Sequence, residues 1–572
     1  MRHFQTISLS FCIALILTGC NDDNGTLFEG GNPITQIKPI PFEPVEATID
    51  DVQASITTHG ATCKGIVQSY INRINAYDKT GPTLNSVIAI NPQAIQEAEK
   101  LDQDFAATGK LKGELHCATV LVKDNIEVAG MPTTAGSIAL TDNYSNKDAY
   151  IINNIKKQGG IILGKANLDE FAFGYVGKSS VGGQTKNVYD LTKGPGGSSS
   201  GTGAAISASL ATIGIGTDTG GSIRVPSAVE GLVGLRPSLR LVSQNGIIPL
   251  APTQDTAGPI CRKAIDCAKL FNSLVGFDSS STSNQRVSFE NNSSLLTSSS
   301  SYQGLFNTPK TYVPMSPSLQ GKHIGVVRYM LPNTSTEEGR LVNQAMEQAI
   351  SKLKSAGAIV DDVEISDLPT VLGAQDYTDG TGKTYGKFAS LSGYEFKPSI
   401  TKYLIGANSV YKSYDDLLNS GKMIPAFANY NKDTSSDAYI QGYNLNTMIR
   451  TPYVRQRLEN ALNNKTMDGT IKGTRYDALA YPTMLGLAAK IGDSPTAGSN
   501  NRLSAFTGYP AISLPAATVS YPAYSPNPLN VNIEFISHEF DEPTLFNIAI
   551  AFQNPNPIRV APSTTPKLLA SS

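Results

Sequence analysis

Two serine-containing segments and one lysine carry the residue types for acyl transfer without histidine. Ser198 lies in the segment GGSSSG at 196–201, Ser222 ends the segment TGGS at 219–222, and Lys123 lies upstream of both. A serine hydroxyl is a weak nucleophile until a base takes its proton, and a lysine can be that base when burial keeps its amine neutral. Lowering a lysine pKa from about 10.4 to about 7 requires roughly 4.6 kcal/mol, which a largely buried site can supply. A second serine between nucleophile and base could relay the proton.

The residues just before Ser222 indicate a place for the negative charge that develops on a reacting carbonyl. The consecutive backbone N–H groups of Thr219, Gly220 and Gly221 could form an anion-binding nest for a tetrahedral oxyanion. Glycine allows the close approach and the unusual backbone angles that such a turn needs. The segment therefore predicts an oxyanion hole made of main-chain donors.

The elements between the two serines must bring them together. Gly201 to Leu210 as a helix spans about 15 Å, and Ile213 to Thr217 as a strand returns about 16 Å. The strand therefore returns the chain to the level at which the helix began. Ser198 and Ser222 can then meet at the sheet edge where open α/β folds bind ligands. Lys123 follows a β-branched run that ends at Val122, which places it at the same edge.

Helix and strand patterns alternate along much of the chain. This alternation predicts an α/β fold with a mixed, mostly parallel central sheet covered by helices on both faces. Strands are predicted at 118–122, 160–163, 322–327, 476–481 and 530–536, and helices at 48–76 (a pair broken at His59-Gly60), 92–107, 150–158, 168–175, 337–356 and 542–552.

Composition excludes several classes of protein. Of 572 residues, 46 are basic and 48 acidic, a net charge of -2 that favours neither nucleic acid nor an anionic lipid surface as a partner. Hydrophobic residues form 40% of the chain and charged residues 16%, which excludes disordered, coiled-coil and collagen-like chains. No run beyond the N-terminus is apolar enough to span a bilayer. A globular protein with a large core remains.

The first residues are typical of an export signal. A basic start at Arg2 and a short apolar run lead to Leu17-Thr18-Gly19-Cys20, which looks like the lipobox of a bacterial lipoprotein. We expect cleavage after residue 19, lipidation of Cys20, and a location in the bacterial cell envelope, facing the periplasm or the cell surface. The expected layout is a signal peptide at 1–19, a polar tether at 20–45 and one catalytic domain at 46–565. Within that domain we expect a Ser/Asn-rich excursion at 278–301 and a substrate-shaping insertion at about 365–470.

Four cysteines remain outside the signal and the lipid site: Cys63, Cys117, Cys261 and Cys267. An even number in an oxidising compartment permits disulfides, but spacing alone does not give the pairing. Their spacing lacks the paired CxxC pattern of a zinc site, and buried core cysteines are equally compatible with it.

The chain resembles the amidase signature family. The resemblance rests on VKDNIEVAGMPTTAGS at 122–137, GKANLDEFAFG at 164–174, the GGSSSG and TDTGGSIRVPSA segments, and SAFTGYPAISLPA at 504–516. It implies a single large domain and an amidase that cleaves a carboxylic amide. It also implies Ser222 as nucleophile, Ser198 as a bridging serine after a cis peptide at Gly197, and Lys123 as general base. The oxyanion hole of the family matches the amides of Thr219 to Gly221. Neither a metal nor an organic cofactor is expected.

Three other interpretations are compatible with parts of the sequence. GSSSG at 197–201 also matches the nucleophile elbow of serine hydrolases, with Ser199 as nucleophile, although the polar stretch before it is not strand-like. A lipid-anchored binding protein could keep the fold without turnover. The amidase subunit of a tRNA-dependent amidotransferase shares the motifs, but the export signal argues against it.

Asp218 and Arg224 are expected to form a structural ion pair, and Asp255 is expected to be a turn residue.

The substrate stays open at this stage. Small aliphatic amides, aryl amides and peptide C-terminal amides are all compatible with the motifs, because the pocket walls are expected to come from the irregular 365–470 region.

Overall fold

The computed structural model describes residues 26–29, 32–35, 38–279, 306, 311–554 and 558–568. The predicted signal peptide, Cys20, most of the polar tether and nearly all of the 278–301 excursion lie outside these residues. No helix in the described ranges is long and apolar enough to cross a bilayer.

Eleven of the described strands form one sheet, in the order β12-β11-β15-β17-β16-β9-β10-β8-β4-β5-β3. The pairs β1–β2, β6–β7 and β13–β14 are separate two-stranded sheets. The strand bounds are β1 Thr26–Glu29, β2 Asn32–Thr35, β3 Val87–Ile90, β4 Thr119–Lys123, β5 Ile161–Ala166, β6 Lys178–Ser179, β7 Gly183–Gln184, β8 Ile213–Asp218, β9 Val233–Arg236, β10 Thr256–Cys261, β11 His323–Val326, β12 Ile359–Asp362, β13 Asp376–Thr378, β14 Thr384–Lys387, β15 Ala478–Pro482, β16 Ala511–Val519 and β17 Leu529–Ile536.

Helices cover both faces of the sheet. Their bounds are α1 Ile49–Thr57, α2 Cys63–Tyr77, α3 Ala94–Thr108, α4 Tyr150–Lys157, α5 Ser200–Ser207, α6 Arg224–Val229, α7 Ala264–Leu274, α8 Glu337–Ser355, α9 Leu368–Val371, α10 Ser392–Gly406, α11 Tyr414–Asn419, α12 Asp437–Asn444, α13 Arg450–Leu462, α14 Arg502–Thr507 and α15 Glu542–Gln553. Thr48 caps α1 through a reciprocal pair of hydrogen bonds with Asp51.

The side chains of strands β4 and β5 belong to two separate apolar cores. In β4, Val120 and Val122 belong to one buried apolar cluster and Leu121 belongs to the other. In β5, Ile162 belongs to the first cluster and Ile161 to the second. Because successive side chains of a strand point to opposite faces, this division shows that both faces of the sheet are covered. The α/β class and the helical cover on both faces are confirmed.

The prediction of a mostly parallel sheet was wrong. Four neighbouring pairs are parallel, namely β11 with β12 and β15, and β4 with β5 and β8. The other six pairs are antiparallel. Helix and strand alternate from β4 through α4, β5 and α5 to β8, but no helix separates β9 from β10 or β16 from β17. Direct connections of this kind allow antiparallel pairing, whereas parallel neighbours need a crossover.

Two local predictions also differ from the structure. Residues 168–175 form only a 3-10 turn at Glu170–Ala172, with Phe171 and Ala172 at positive φ, rather than a helix. The carboxylate of Asp169 accepts the amides of Val176 and Gly177, which turns this segment into a loop. The 365–470 region contains α9 to α13 and the β13–β14 hairpin; α9, α11, α12 and both strands have eight residues or fewer, too few to show a clear period in the sequence.

The four remaining cysteines fall into two classes. Cys63 and Cys117 form a disulfide, whereas Cys261 and Cys267 are reduced and buried. The disulfide joins the start of α2 to Cys117, two residues before β4, so it ties α2 to the third strand from the β3 edge of the sheet.

Candidate active site

Two adjacent parallel strands end at the site. Val122 of β4 pairs with Ile215 of β8, so Lys123 and Asp218, the last residues of these strands, lie at one edge of the sheet. Ser198 precedes α5 and Ser222 follows β8, as expected from the return of the chain. All residues of α5 are buried, and its Gly201 has no room for a side chain, since a Cβ would lie 2.3 Å from the Ser86 carbonyl oxygen. Small residues therefore let α5 pack directly against the sheet.

Lys123 is fully buried and touches hydroxyls and a carbonyl rather than a carboxylate. Its Nζ lies 2.8 Å from Ser198 Oγ, and it donates to Thr217 Oγ1 at 2.8 Å and to the Thr217 carbonyl oxygen at 3.4 Å. Asn125 Nδ2 also donates to Thr217 Oγ1, at 3.1 Å. Burial lowers the pKa of Lys123 to about 7, although the carboxylates of Asp169, Asp218 and Asp255 act in the opposite direction. A buried amine with this pKa and these neighbours is able to accept a proton near neutral pH.

The two serines are neighbours in space. The Ser199 amide donates to the Ser222 carbonyl oxygen at 3.1 Å, which ties the loop before α5 to the loop after β8. Ser198 is fully buried, and the peptide bond between Gly197 and Ser198 is cis. Ser222 is 5% exposed. Within the described residues no hydrogen bond joins the two serine hydroxyls, so the structure shows the Lys123–Ser198 contact directly and Ser222 beside it.

The loop that follows β8 has two free main-chain donors. The N–H groups of Thr219 and Gly220 meet no acceptor in the described part of the chain. The amide of Gly221 donates instead to Asp218 Oδ1 at 2.6 Å. Gly221 has a φ of 120°, which a residue with a side chain rarely adopts. Of the three predicted oxyanion donors, Thr219 and Gly220 are thus available and Gly221 is engaged.

Asp218 and Arg224 form part of a buried ionic network. Arg224 Nε donates to Asp218 Oδ2 at 3.1 Å, and its Nη1 donates to Glu534 Oε1 at 2.6 Å. Arg236 adds a second cation beside Asp218, at 3.2 Å. Burial would raise the pKa of Asp218, but Arg224 and Arg236 hold it well below its usual range. The predicted ion pair is confirmed, and these groups stay charged and fix the loop.

Ser199 has a structural contact instead of a catalytic one. Its Oγ is buried, donates to the Thr217 carbonyl oxygen at 3.2 Å and accepts from the Thr217 amide at 3.3 Å. The segment before it contains no strand after the two-residue β7, whereas a nucleophile elbow must follow a strand. The described residues place no histidine in hydrogen-bonding contact with it. The elbow interpretation does not fit this geometry.

Sequence reasoning missed three residues around the base and assigned a fourth only to a turn. Thr217 accepts from the Lys123 amine, and Asn125 donates to the same Thr217 hydroxyl. Asp169 is buried beside Ser198, and its amide donates to the Ser198 carbonyl oxygen at 3.1 Å. Burial raises the pKa of Asp169 to about 7, against the effect of the Gly177 and Val176 amides. The sequence could have indicated Asp169, since an acidic residue inside the largely apolar stretch 166–174 needs a special environment. Asp255 does brace its own turn, but its Oδ1 also accepts the Thr219 hydroxyl at 2.6 Å.

A cavity of about 860 Å³ extends from Asp255. Its lining includes Glu127, Asn143 and Lys147, together with Lys402 and Tyr403 of α10. The Tyr403 hydroxyl donates to Glu127 Oε1 at 2.9 Å. The 365–470 region therefore supplies part of the lining of this cavity. Lys123, Ser198 and Ser222 do not line it; Asp255 does, and it contacts the 218–222 loop through the Thr219 hydroxyl.

The profile of the amidase family matches residues 65–546. The chain belongs to the amidase signature family. A probable amidase of Arabidopsis thaliana is 29% identical over 538 residues, which cover 91% of this chain and 92% of the relative. A glutamyl-tRNA(Gln) amidotransferase subunit of Symbiobacterium thermophilum is 30% identical over 85% of this chain and 92% of its own. The X-ray structure of the peptide amidase from Stenotrophomonas maltophilia matches with a TM-score of 0.73 and 30% identity, covering 91% of this chain and 99% of that one.

Membership of the amidase signature family confirms the resemblance found in the motifs. The chain is an amidase-family enzyme, and amide hydrolysis is the activity that the family supports. The relatives include both hydrolases and amidotransferase subunits, with similar identity to this chain, so the site and its surroundings must carry any finer assignment.

Proposed function

We propose that this protein is an amidohydrolase that cleaves a carboxylic amide through an acyl-enzyme on Ser222. The observation that carries the proposal is the buried Lys123 amine, which lies 2.8 Å from Ser198 Oγ and touches no carboxylate among the described residues. When neutral, this amine can donate its two N–H groups to Thr217 Oγ1 and to the Thr217 carbonyl, and direct its lone pair at the Ser198 hydroxyl. That is the orientation a base needs.

In acylation, the oxygen of Ser222 attacks the carbonyl carbon of the substrate. The Ser222 proton passes to Ser198, whose own proton passes to Lys123, and the amides of Thr219 and Gly220 stabilise the oxyanion. The C–N bond then breaks as the relay returns the proton to the leaving amine or ammonia. In deacylation, water attacks the acyl carbon by the same route, which releases the carboxylic acid and restores Ser222.

The cavity favours a polar substrate of peptide size. We propose that the substrate extends from Ser222 past Asp255 into this cavity, whose volume of about 860 Å³ and lining by Glu127, Asn143, Lys147 and Lys402 exceed what a small aliphatic amide needs. We therefore propose peptide C-terminal amides as the substrate class. Steady-state kinetics of a dipeptide amide against propionamide should give a much higher kcat/KM for the dipeptide; the reverse preference would exclude this class.

The nucleophile can be identified with a fluorophosphonate probe and intact-mass spectrometry. We expect one adduct on the wild type, mapping to Ser222, and none on Ser222→Ala. Ser199→Ala is the matched control, since its hydroxyl lies in the next loop and braces Thr217; this variant should still be labelled. An adduct on Ser199 would support the elbow. Absence of both adduct and amide hydrolysis in a folded protein would support the non-catalytic binding protein.

We also propose that the protein is exported and anchored through a lipid on Cys20. The Leu17-to-Cys20 pattern and the Cys63–Cys117 disulfide support an oxidising compartment, which disfavours a cytoplasmic amidotransferase subunit. Expression in a bacterium with an alkyne-labelled fatty acid should label the wild type in the membrane fraction and leave Cys20→Ala unlabelled. Equal labelling of both would contradict the proposal.

A further inference from the structure

Gln254 is a buried residue that joins the loop at 218–222 to the 365–470 region. It lies just before β10 and is 1% exposed. Its Nε2 donates to the Thr219 carbonyl oxygen at 3.0 Å and to Ser390 Oγ at 3.4 Å. Its Oε1 accepts from the Leu391 amide at 2.8 Å and from Arg450 Nη1 at 3.1 Å. Each amide atom thus has two partners, and the two N–H donors that face Oε1 fix which way the amide points.

The contact with Thr219 controls the direction of a catalytic donor. A trans peptide unit is planar, so the Thr219 carbonyl and the Gly220 N–H point in opposite directions. A group that holds the carbonyl therefore sets the direction of the N–H. In the described part of the chain, Gln254 is the one hydrogen-bond donor to that carbonyl oxygen.

The next peptide of the loop is held by other side chains. The Gly220 carbonyl oxygen accepts from the Tyr175 hydroxyl at 2.6 Å and from Asn501 Nδ2, while the Gly221 amide donates to Asp218. This peptide is fixed at both ends and its N–H is used. The peptide between Thr219 and Gly220 is fixed at its carbonyl end alone, so its N–H remains free for an oxyanion.

We infer that Gln254 is a positioning residue of this amidase: it orients the Thr219–Gly220 peptide so that the Gly220 N–H meets the oxyanion. The inference rests on the proposed function, because it needs a carbonyl reacting at Ser222. Through Leu391 and Arg450 the same side chain links this donor to the region that supplies part of the lining of the cavity. Gln254 itself touches neither the nucleophile nor the base.

The test compares Gln254→Glu with Gln254→Met. Glutamate keeps both acceptor contacts, and pairs with Arg450, but turns a carboxylate oxygen towards the Thr219 carbonyl and repels it. Methionine leaves that carbonyl unpaired and loses all four hydrogen bonds. If Gln254 acts by orienting the peptide, kcat falls about 10- to 100-fold in Gln254→Glu and less in Gln254→Met, with KM within about 2-fold of wild type. The thermal midpoints should fall in the opposite order, with Gln254→Met the less stable variant.

Gln553→Glu is the matched control. Gln553 also accepts a backbone amide, that of Ala264 at 2.7 Å, and donates to a carbonyl, but it lies near the far end of β10. We expect wild-type kcat and a wild-type rate of fluorophosphonate reaction from this variant, whereas the rate of Gln254→Glu should drop with its kcat. Activity that follows the thermal midpoints, or a change in KM alone, would overturn the inference.

The outcomes also separate this inference from the proposed function. Labelling that persists in Ser222→Ala overturns both. Labelling lost in Ser222→Ala but proceeding at the wild-type rate in Gln254→Glu overturns the role of Gln254 and leaves Ser222 as the nucleophile.

Discussion

Two fully buried lysines lie at the ends of neighbouring strands, with different partners. Lys123 ends β4, and Lys165 lies one residue before the end of β5, paired with Val122. The Lys123 amine contacts Ser198 and Thr217. The Lys165 amine forms an ion pair with Asp124 at 2.9 Å and lies 3.2 Å from Thr133 Oγ1.

Under the proposed function, the partners separate a base from a structural lysine, because burial is common to both. Burial lowers the pKa of both lysines, but Asp124 opposes this effect at Lys165 by contact and by charge. Lys123 has hydroxyl and carbonyl neighbours and only distant carboxylates, so its pKa falls to about 7. We expect a buried lysine with a carboxylate partner to be structural, and one whose partners are hydroxyl and carbonyl groups to be available for proton transfer.

The largest expected effect is the loss of activity when the Lys123 amine, which contacts no carboxylate in the described part of the chain, is removed. Lys123→Met should lower kcat/KM about 10⁴-fold, because neither serine then has a base. Lys123→Arg should be equally inactive, since a guanidinium stays protonated. Lys165→Met, assayed where it is folded, should keep kcat/KM within about 5-fold of wild type. Equal losses in Lys123→Met and Lys165→Met would remove the distinction between the two sites.

The second effect concerns stability, where we expect the Lys165 variant and not the Lys123 variant to show the loss. Lys165→Met leaves Asp124 buried and unpaired, and should lower the free energy of unfolding by about 3–5 kcal/mol. Lys123→Met should be neutral or stabilising at pH 7.5. Folding the wild type at this pH deprotonates an amine of ordinary pKa 10.5, which costs about 4 kcal/mol over three pKa units. This cost shrinks as the pH rises towards 10.5, so the gain in unfolding free energy of Lys123→Met over the wild type should shrink too.

Denaturant midpoints of the two variants at pH 7.5 and 9.5 provide the measurement. The double variant Lys165→Met/Asp124→Leu should recover most of the loss of Lys165→Met, since no unpaired charge remains. Greater destabilisation by Lys123→Met than by Lys165→Met would show that Lys123 is the structural one.

Strand order separates the predictable part of the fold from the rest. The strands from β4 to β8 and the helices between them were predictable because α4 has a clear helical period and the small-residue segment at 201–210 has the length of a helix that returns to a strand. The antiparallel positions of β10 and β17 depend on long-range pairing, such as Ile260 with Gly234, which periodicity does not encode. The loop at 168–175 shows the same limit, since contacts with the Asp169 carboxylate override its helical pattern.

The candidate site divides in the same way. The lysine and the two serines were predictable from residue type, spacing and family resemblance. The partners that tune them were not, because Thr217, Asp169 and Gln254 act through distances and burial. The use of the Gly221 amide by Asp218 is likewise a property of the folded loop.

The smallest expected effect is the pH dependence of kcat/KM that the titration of Lys123 should produce. The neutral amine is the active form, so kcat/KM should fall about tenfold per pH unit below about pH 7 and reach a plateau above about pH 8. Asp124→Asn, which alters the partner of Lys165, should leave the midpoint unchanged. A rate that does not vary between pH 5.5 and 8.5 would exclude Lys123 as the titrating base.

Asp169→Asn sharpens this test because Asp169 is a charge that faces Lys123 from another loop. The pKa of Asp169 is also about 7, so the two groups titrate together and the midpoint belongs to the pair. The ionised carboxylate favours the charged amine, as Asp218 and Asp255 do. Asparagine keeps an oxygen for the amides of Val176 and Gly177 but removes the charge. The midpoint should therefore move to lower pH. A midpoint that stays in place or moves to higher pH would show that the group titrating in catalysis does not respond to the Asp169 charge as Lys123 must, and would transfer the role of base away from Lys123.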